Sequence, residues 1–145
     1  MKASSRYYEN IYWSWRRFLK SAFPNVLRFY NPSVQPMPED ADSWIIFFTG
    51  GYDSRRFANS APRIVCVAKD DDRKSVLDGL AGDVAEACGP THVSRFVDLY
   101  DETTEAVVGR IEVTDVSIRQ AVPYATGISS RAVDFFTIVK TARNR

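Results

Sequence analysis

A chain of 145 residues, 45% apolar and 13% aromatic, is the length of one domain and can bury a core without disulfides. Its 19 basic and 18 acidic residues leave a net charge of +1, which argues against a dedicated nucleic-acid binder. The longest apolar runs, such as 44–48, are far too short to span a bilayer, and residues 1–6 lead into an aromatic and charged stretch rather than an apolar segment. The expectation is a single soluble domain over 1–145, made in the cytoplasm, with no membrane partner and no specific nucleic acid.

Residues 6–22 read as an amphipathic helix. Tyr8, Ile11, Tyr12, Trp15, Phe18, Leu19 and Ala22 recur at the spacing of one helical face, with Arg16, Arg17 and Lys20 off it. Trp13 falls off the stripe and is a candidate for a second contact surface. Pro24 prevents continuation. A short strand is expected over 26–30, then a Pro-rich loop over 31–42 with Pro32, Pro36 and Pro38. The run 43–49 reads as a strand, 50–62 as a long polar loop, and 63–69 as a covered central strand.

A second helix is expected from about 73 to 88. Its stripe is Val76, Leu77, Leu80, Ala81, Val84, Ala85 and Cys88, with an aspartate of Asp70-Asp71-Asp72 as cap and Gly89-Pro90 as stop. After an extended segment at 93–99 and a turn at 101–105, two long strands over 107–119 and 131–141 should form a C-terminal hairpin spanning 107–141. The apolar alternation of the first slips near Thr114-Asp115, which predicts a bulge. The turn between them is placed at 123–130. Val133, Phe135, Thr137 and Val139 are expected on one face, Phe136 and Ile138 on the other. The order αβββαβββ implies an α+β fold, a mostly antiparallel or mixed sheet with both helices on one face.

Chemistry-bearing patterns are few. Thr49-Gly50-Gly51-Tyr52-Asp53-Ser54 resembles the pyrophosphate-binding loop of the ATP pyrophosphatases, in which glycines let backbone amides approach an anion. That family has a long apolar helix after the loop; here Pro62 leaves room for barely two turns, and Thr49 replaces the leading serine. The acidic run at 70–72 suits a helix cap better than a metal, and His92, the single histidine, has no Ser or Cys elbow to serve. Cys66 and Cys88 lie in apolar segments without zinc or redox spacing and read as buried thiols; a disulfide is the alternative. No catalytic, cofactor-binding or metal residue is assigned. Arg55, Arg56 and Arg63, with Tyr52 and Phe57 interleaved, form a local basic patch suited to a protein surface or a phosphate.

The layout resembles the tail terminator proteins of long-tailed bacteriophages. The resemblance rests on three parts: the N-terminal helix leading to Val26-Leu27-Arg28-Phe29-Tyr30 and the Pro-rich stretch; Ala61 to Ala68 with the acidic turn and helix after it; and the C-terminal pair around Gly109–Asp115 and Arg131–Ile138. It implies a structural virion protein, assembled in the host cytoplasm, not an enzyme and without cofactors. By analogy it forms a homohexameric ring that caps the tail tube protein, stops polymerisation and presents a surface to the neck or connector protein, and to the sheath where the tail contracts. Closed rings need head-to-tail contacts with aromatic and Arg anchors. The candidates are Trp13, Tyr52, Arg55, Arg56 and Phe57. The alternatives are a small nucleotide-binding domain using the Gly50-Gly51 loop, and another head–tail connector or secretion-tube assembly protein.

Overall fold

The computed structural model describes residues 7–53, 58–69, 74–90 and 95–141. The chain is α+β, a mixed, curled sheet with two helices. In order it runs α1 (Tyr7–Ala22), β1 (Leu27–Tyr30), β2 (Ser43–Phe48), β3 (Tyr52–Asp53), β4 (Ala58–Ser60), β5 (Arg63–Lys69), α2 (Ser75–Cys88), β6 (Arg95–Tyr100), β7 (Val107–Ile118), β8 (Val122–Ala125) and β9 (Ile128–Thr141). The expected order αβββαβββ is therefore corrected by three short strands, β3, β4 and β8.

The 14-residue β9 is the spine. One edge takes β5 over residues 128–134 and then β4 over 137–139; the other takes β8 near its start and β7 over 133–141. Beyond β5 lie β2 and β1, beyond β4 lies β3, and beyond β7 lies β6. Among the described strands, only β1 and β2 pair in parallel. The segment 50–62 is thus no plain loop. Its two strands pair with each other, and β4 continues the line of β5 along β9. Ala61 and Pro62 interrupt that line because proline has no ladder donor; the Pro62 carbonyl still accepts from the Phe135 amide at 3.0 Å.

The turn expected at 123–130 is also corrected. β8 pairs with the start of β9 around Thr126-Gly127, where Gly127 takes φ +73°. A two-residue hairpin turn of this kind favours glycine. The register slips between Val113 and Asp115 as the alternation predicts, and the slip returns Val116 to the core side.

Alternation in the strands sorts the core onto the helix face. Ile64, Cys66, Ile111, Val113, Val133, Phe135 and Val139 join Ile11, Trp15 and Leu19 of α1 and Leu77, Leu80, Ala81, Val84 and Cys88 of α2 in one buried cluster. Trp15 is its centre, with ring centroids 5.8 Å from Phe47 and 5.9 Å from Phe135. Burying an aromatic of this size contributes about 3 kcal/mol of transfer free energy. Val76 is not part of it. It stands 54% exposed, because the buried stripe starts at Leu77 and the neighbouring position projects roughly 100° away. The cap differs too: Lys74, at φ +59°, holds the N-cap position without a side-chain capping bond, and the Asp70–Asp72 run lies outside the described residues. Tyr8, assigned to the helix stripe, stands half exposed and donates its hydroxyl to the Gly50 carbonyl at 2.9 Å.

A smaller cluster of Trp44, Ile46 and Val67 occupies the opposite face. The Pro-rich loop 31–42 straps it. Gln35 donates to the Tyr124 carbonyl at 3.1 Å, the Tyr124 hydroxyl donates to the Pro36 carbonyl, and the Lys69 amide donates to the Asp42 carbonyl at 2.8 Å. The strap lies over the β1–β2–β5 end of this face; among the described residues none of its bonds reaches the β4–β9–β7–β6 end.

Candidate interaction surfaces

The Gly-Gly segment is built for backbone crossing. Thr49 is fully buried and clasped by Asn31, whose amide nitrogen donates to the Thr49 hydroxyl at 2.8 Å while its oxygen accepts from the Thr49 amide at 3.0 Å. Gly50 has φ +74°, and a Cβ there would sit 2.1 Å from the Ala61 carbonyl oxygen. The chain then enters β3, which pairs with β4, and among the described residues no helix starts after the glycines before α2. Gly51 has open space around it.

Of the interface candidates, Arg55, Arg56 and Phe57 lie outside the described residues, as does His92. Tyr52 is placed by its backbone, opposite Ser60. Arg63 sits at the start of β5 and pairs through Nε with Asp134 at 2.6 Å; Arg119 reaches the other oxygen of the same carboxylate at 2.7 Å. The Arg63 hydrogen bond, aided by Arg119, holds the Asp134 carboxyl below its ordinary 3.8 against the opposing effect of burial.

Trp13 is the candidate around which a surface forms. It is 42% exposed on α1, edge-on to Tyr12, with the Arg16 guanidinium 5.2 Å from its ring. The same guanidinium lies 4.7 Å from the Tyr30 ring, and that of Arg17 lies 4.0 Å from the Tyr100 ring. Stacking of this kind holds long cationic side chains in place at low entropic cost.

Two buried polar residues on α1 set the opposite wall. Ser14 Oγ accepts from the Tyr100 amide at 2.8 Å, and Asn10 Oδ1 accepts from the Glu102 amide at 3.1 Å, pinning the end of β6 against the helix. Asp101 Oδ1 then accepts from the Thr103 and Thr104 amides, at 2.8 and 3.0 Å, and shapes the turn into β7. The result is a cleft of about 470 Å³. It is lined by Trp13, Arg16, Arg17 and Lys20 from α1 and by Tyr100, Asp101, Glu102 and Glu105 from the end of β6 and the turn after it.

Sequence reasoning placed the three bases off the buried stripe but did not find Asn10, Ser14, Tyr100 or the acidic wall. Asn10 and Ser14, one turn apart beside the apolar stripe, were the available signal for a helix face that meets backbone.

A second surface lies on the uncovered part of the opposite face. Phe136 is 63% exposed there; Phe96 on the edge strand β6 is 44% exposed, with the Arg110 guanidinium 4.4 Å from its ring, and lines a groove beside Arg17 and Tyr100. Lys140 and Glu112 pair across β9 and β7 at 2.6 Å.

Both thiols are buried and free, and burial pushes each up to about 12. Among the described residues no cluster of His, Cys, Asp and Glu has the makings of a metal site, and no helix is long and apolar enough to cross a membrane.

No family model and no curated protein matches the chain. Eight solved chains match its fold. One of them, whose name states no function, superposes over 91% of this chain and 94% of its own with a TM-score of 0.65 at 12% identity, a likeness of fold alone.

Proposed function

We propose that this chain is a structural assembly protein of the tail-terminator kind, a ring that caps a tail tube, stops its growth and offers its other side to the neck. The nine strands act as one sheet with both helices on one face, which leaves the helix side and the bare sheet side as two unlike surfaces. The observation that carries the reading is this pair: an aromatic and charged cleft around Trp13 beside α1, and an exposed Phe136 on the other face of the sheet. Unlike patches on opposite sides of one chain suit head-to-tail contact, which closes into rings when the rotation allows. Stacked arginines and half-exposed aromatics are the residue types that anchor such contacts.

The partners under this reading are further copies, the tube subunit and the neck protein, with six copies by analogy. The segment 50–61, which bears Arg55, Arg56 and Phe57, is expected near a subunit or tube contact. The test is deletion of the gene in its source phage, with tail lengths measured in electron micrographs. Tails of uncontrolled length without heads are expected, restored by the wild-type gene. Normal tails joined to heads in the deletion would overturn the reading.

A further inference from the structure

Strand β6 is an edge of the sheet. Among the described residues it pairs with β7 alone, and at six residues it is longer than the other edge strands, β1 and β8 at four and β3 at two. One bond shows which of its amides the ladder leaves free. The Tyr100 amide donates to Ser14 Oγ on α1, so it points away from β7. The irregularity at this end adds Val108 on β7, and β6 itself stays regular, with burial alternating from Phe96 to Leu99. Alternation therefore turns the amides and carbonyls of Phe96 and Asp98 away from β7 as well.

α1 runs beside that edge. Arg17, half-buried Phe18 and Ser21 on the helix and Phe96, Asp98 and Tyr100 on the strand flank a groove of about 330 Å³. Charged side chains often blunt a strand edge, but here they are drawn aside. Arg95 turns back to the Gly89 and Glu86 carbonyls, both at 3.1 Å, and the Arg17 guanidinium lies on the Tyr100 ring.

We infer that this groove takes an extended segment of a partner protein, added to β6 as a further strand with α1 as its other wall. The occupant follows from what the groove offers. Outward donors and acceptors at alternate positions, Phe96 and Asp98, match an extended backbone; a helix or a folded surface has already paired its own. A volume at the lower end of ligand sites, which run from about 300 to 1,000 Å³, admits a few residues and no folded element. Arg17 and Phe18 add an acidic and an apolar preference for the segment's side chains. This docking stands apart from tail termination, and normal tails in the gene deletion would leave it standing.

The probe is a synthetic peptide, acetyl-Thr-Val-Glu-Val-Thr-amide, in which β-branched residues favour a strand and glutamate answers Arg17. It is titrated into the isotope-labelled full chain and followed by NMR. In the free chain the Val97 and Leu99 amides are expected to exchange slowly with deuterium and those of Phe96 and Asp98 quickly. The peptide should give saturable shifts at Phe96, Asp98 and Ser21 and slow the exchange of the first two. Asp98→Pro removes one outward donor and leaves the ladder intact, a change that an edge strand accepts. It is expected to weaken binding at least about tenfold, whereas Asp98→Ala, which keeps the amide, should stay within about twofold. Two further peptides are methylated on the amides of both valines or of the other three residues. One should bind and the other should not, because only one edge of the segment meets β6. Should Asp98→Pro fail to fold, these two peptides carry the test.

No saturable binding, shifts confined to another edge or to the Trp13 end of the cleft, or equal binding of both methylated peptides would overturn the docking. Undiminished binding to a folded Asp98→Pro, or slow exchange of the Phe96 and Asp98 amides in the free chain, would overturn it also. Self-association of the wild-type chain that Asp98→Pro abolishes, read by sedimentation velocity, would replace the partner segment with a second copy and overturn it too.

Discussion

Gly50 and Gly51 are neighbours with opposite tolerances. A Cβ on Gly50 would lie 2.1 Å from the Ala61 oxygen, at a backbone angle that side chains rarely adopt, while one on Gly51 meets nothing within 4 Å. Gly50→Ala is therefore expected to destabilise the fold by about 1–3 kcal/mol, the range for backbone strain at such positions. Gly51→Ala should stay within about 0.5 kcal/mol, the usual value for an open surface site. Urea unfolding of both variants checks this; equal costs would mean that the pair serves something other than the crossing with Ala61. At the same scale, the thiols of Cys66 and Cys88, pushed up to about 12 by burial, remain protonated at pH 8. Neither is expected to react with iodoacetamide until the chain unfolds, and labelling of the native protein at the rate of the urea-unfolded chain would contradict their placement.

Between elements, β4 is held to β9 by a buried hydroxyl pair. The oxygens of Ser60 and Thr137 lie 2.6 Å apart, and Thr137 also donates to the Ser60 carbonyl at 2.9 Å. Thr137→Val keeps the shape and strands the Ser60 hydroxyl, so a loss of about 1–3 kcal/mol is expected. The double variant with Ser60→Ala should recover part of it, and strict additivity in denaturant unfolding would exclude the coupling. Asp134 on β9 gathers Arg63 of β5 and Arg119, the residue just past β7. Its folded carboxyl titrates below the ordinary 3.8, so its contribution is present above that value and is lost as pH falls from about 4 through the lower folded value. The pair is largely open to water, which holds the contribution under about 1 kcal/mol. Asp134→Asn should flatten the acid limb of the stability curve; identical acid limbs in thermal melts would remove the pairing from the account.

At the scale of the whole molecule, the sheet has one end strapped by the Pro-rich loop and the other left bare beneath Phe136. Much of this architecture was legible in the chain. The helix around Trp15, the strand 63–69, the slip near Asp115 and the two faces of β9 follow from local period, because burial on one side of a helix or strand imposes spacings of 3.6 or 2 on the residues themselves. The strands β3, β4 and β8 were not legible. They are two to four residues long and owe their pairing to β9, whose register decides what lies beside it. Val76 was misassigned because a stripe is ambiguous at its first turn until the sheet beneath it is known. The sequence by itself determined which residues are apolar, where the long elements lie and that Trp13 and the α1 bases stand off the core. Only the tertiary structure decided that Asp101, Glu102 and Glu105 face those bases, roughly 80–90 positions along the chain, and that Phe136 lies on the side of the molecule away from them. Opposed walls and opposed faces arise from packing between distant segments, and no local pattern encodes which segments will meet.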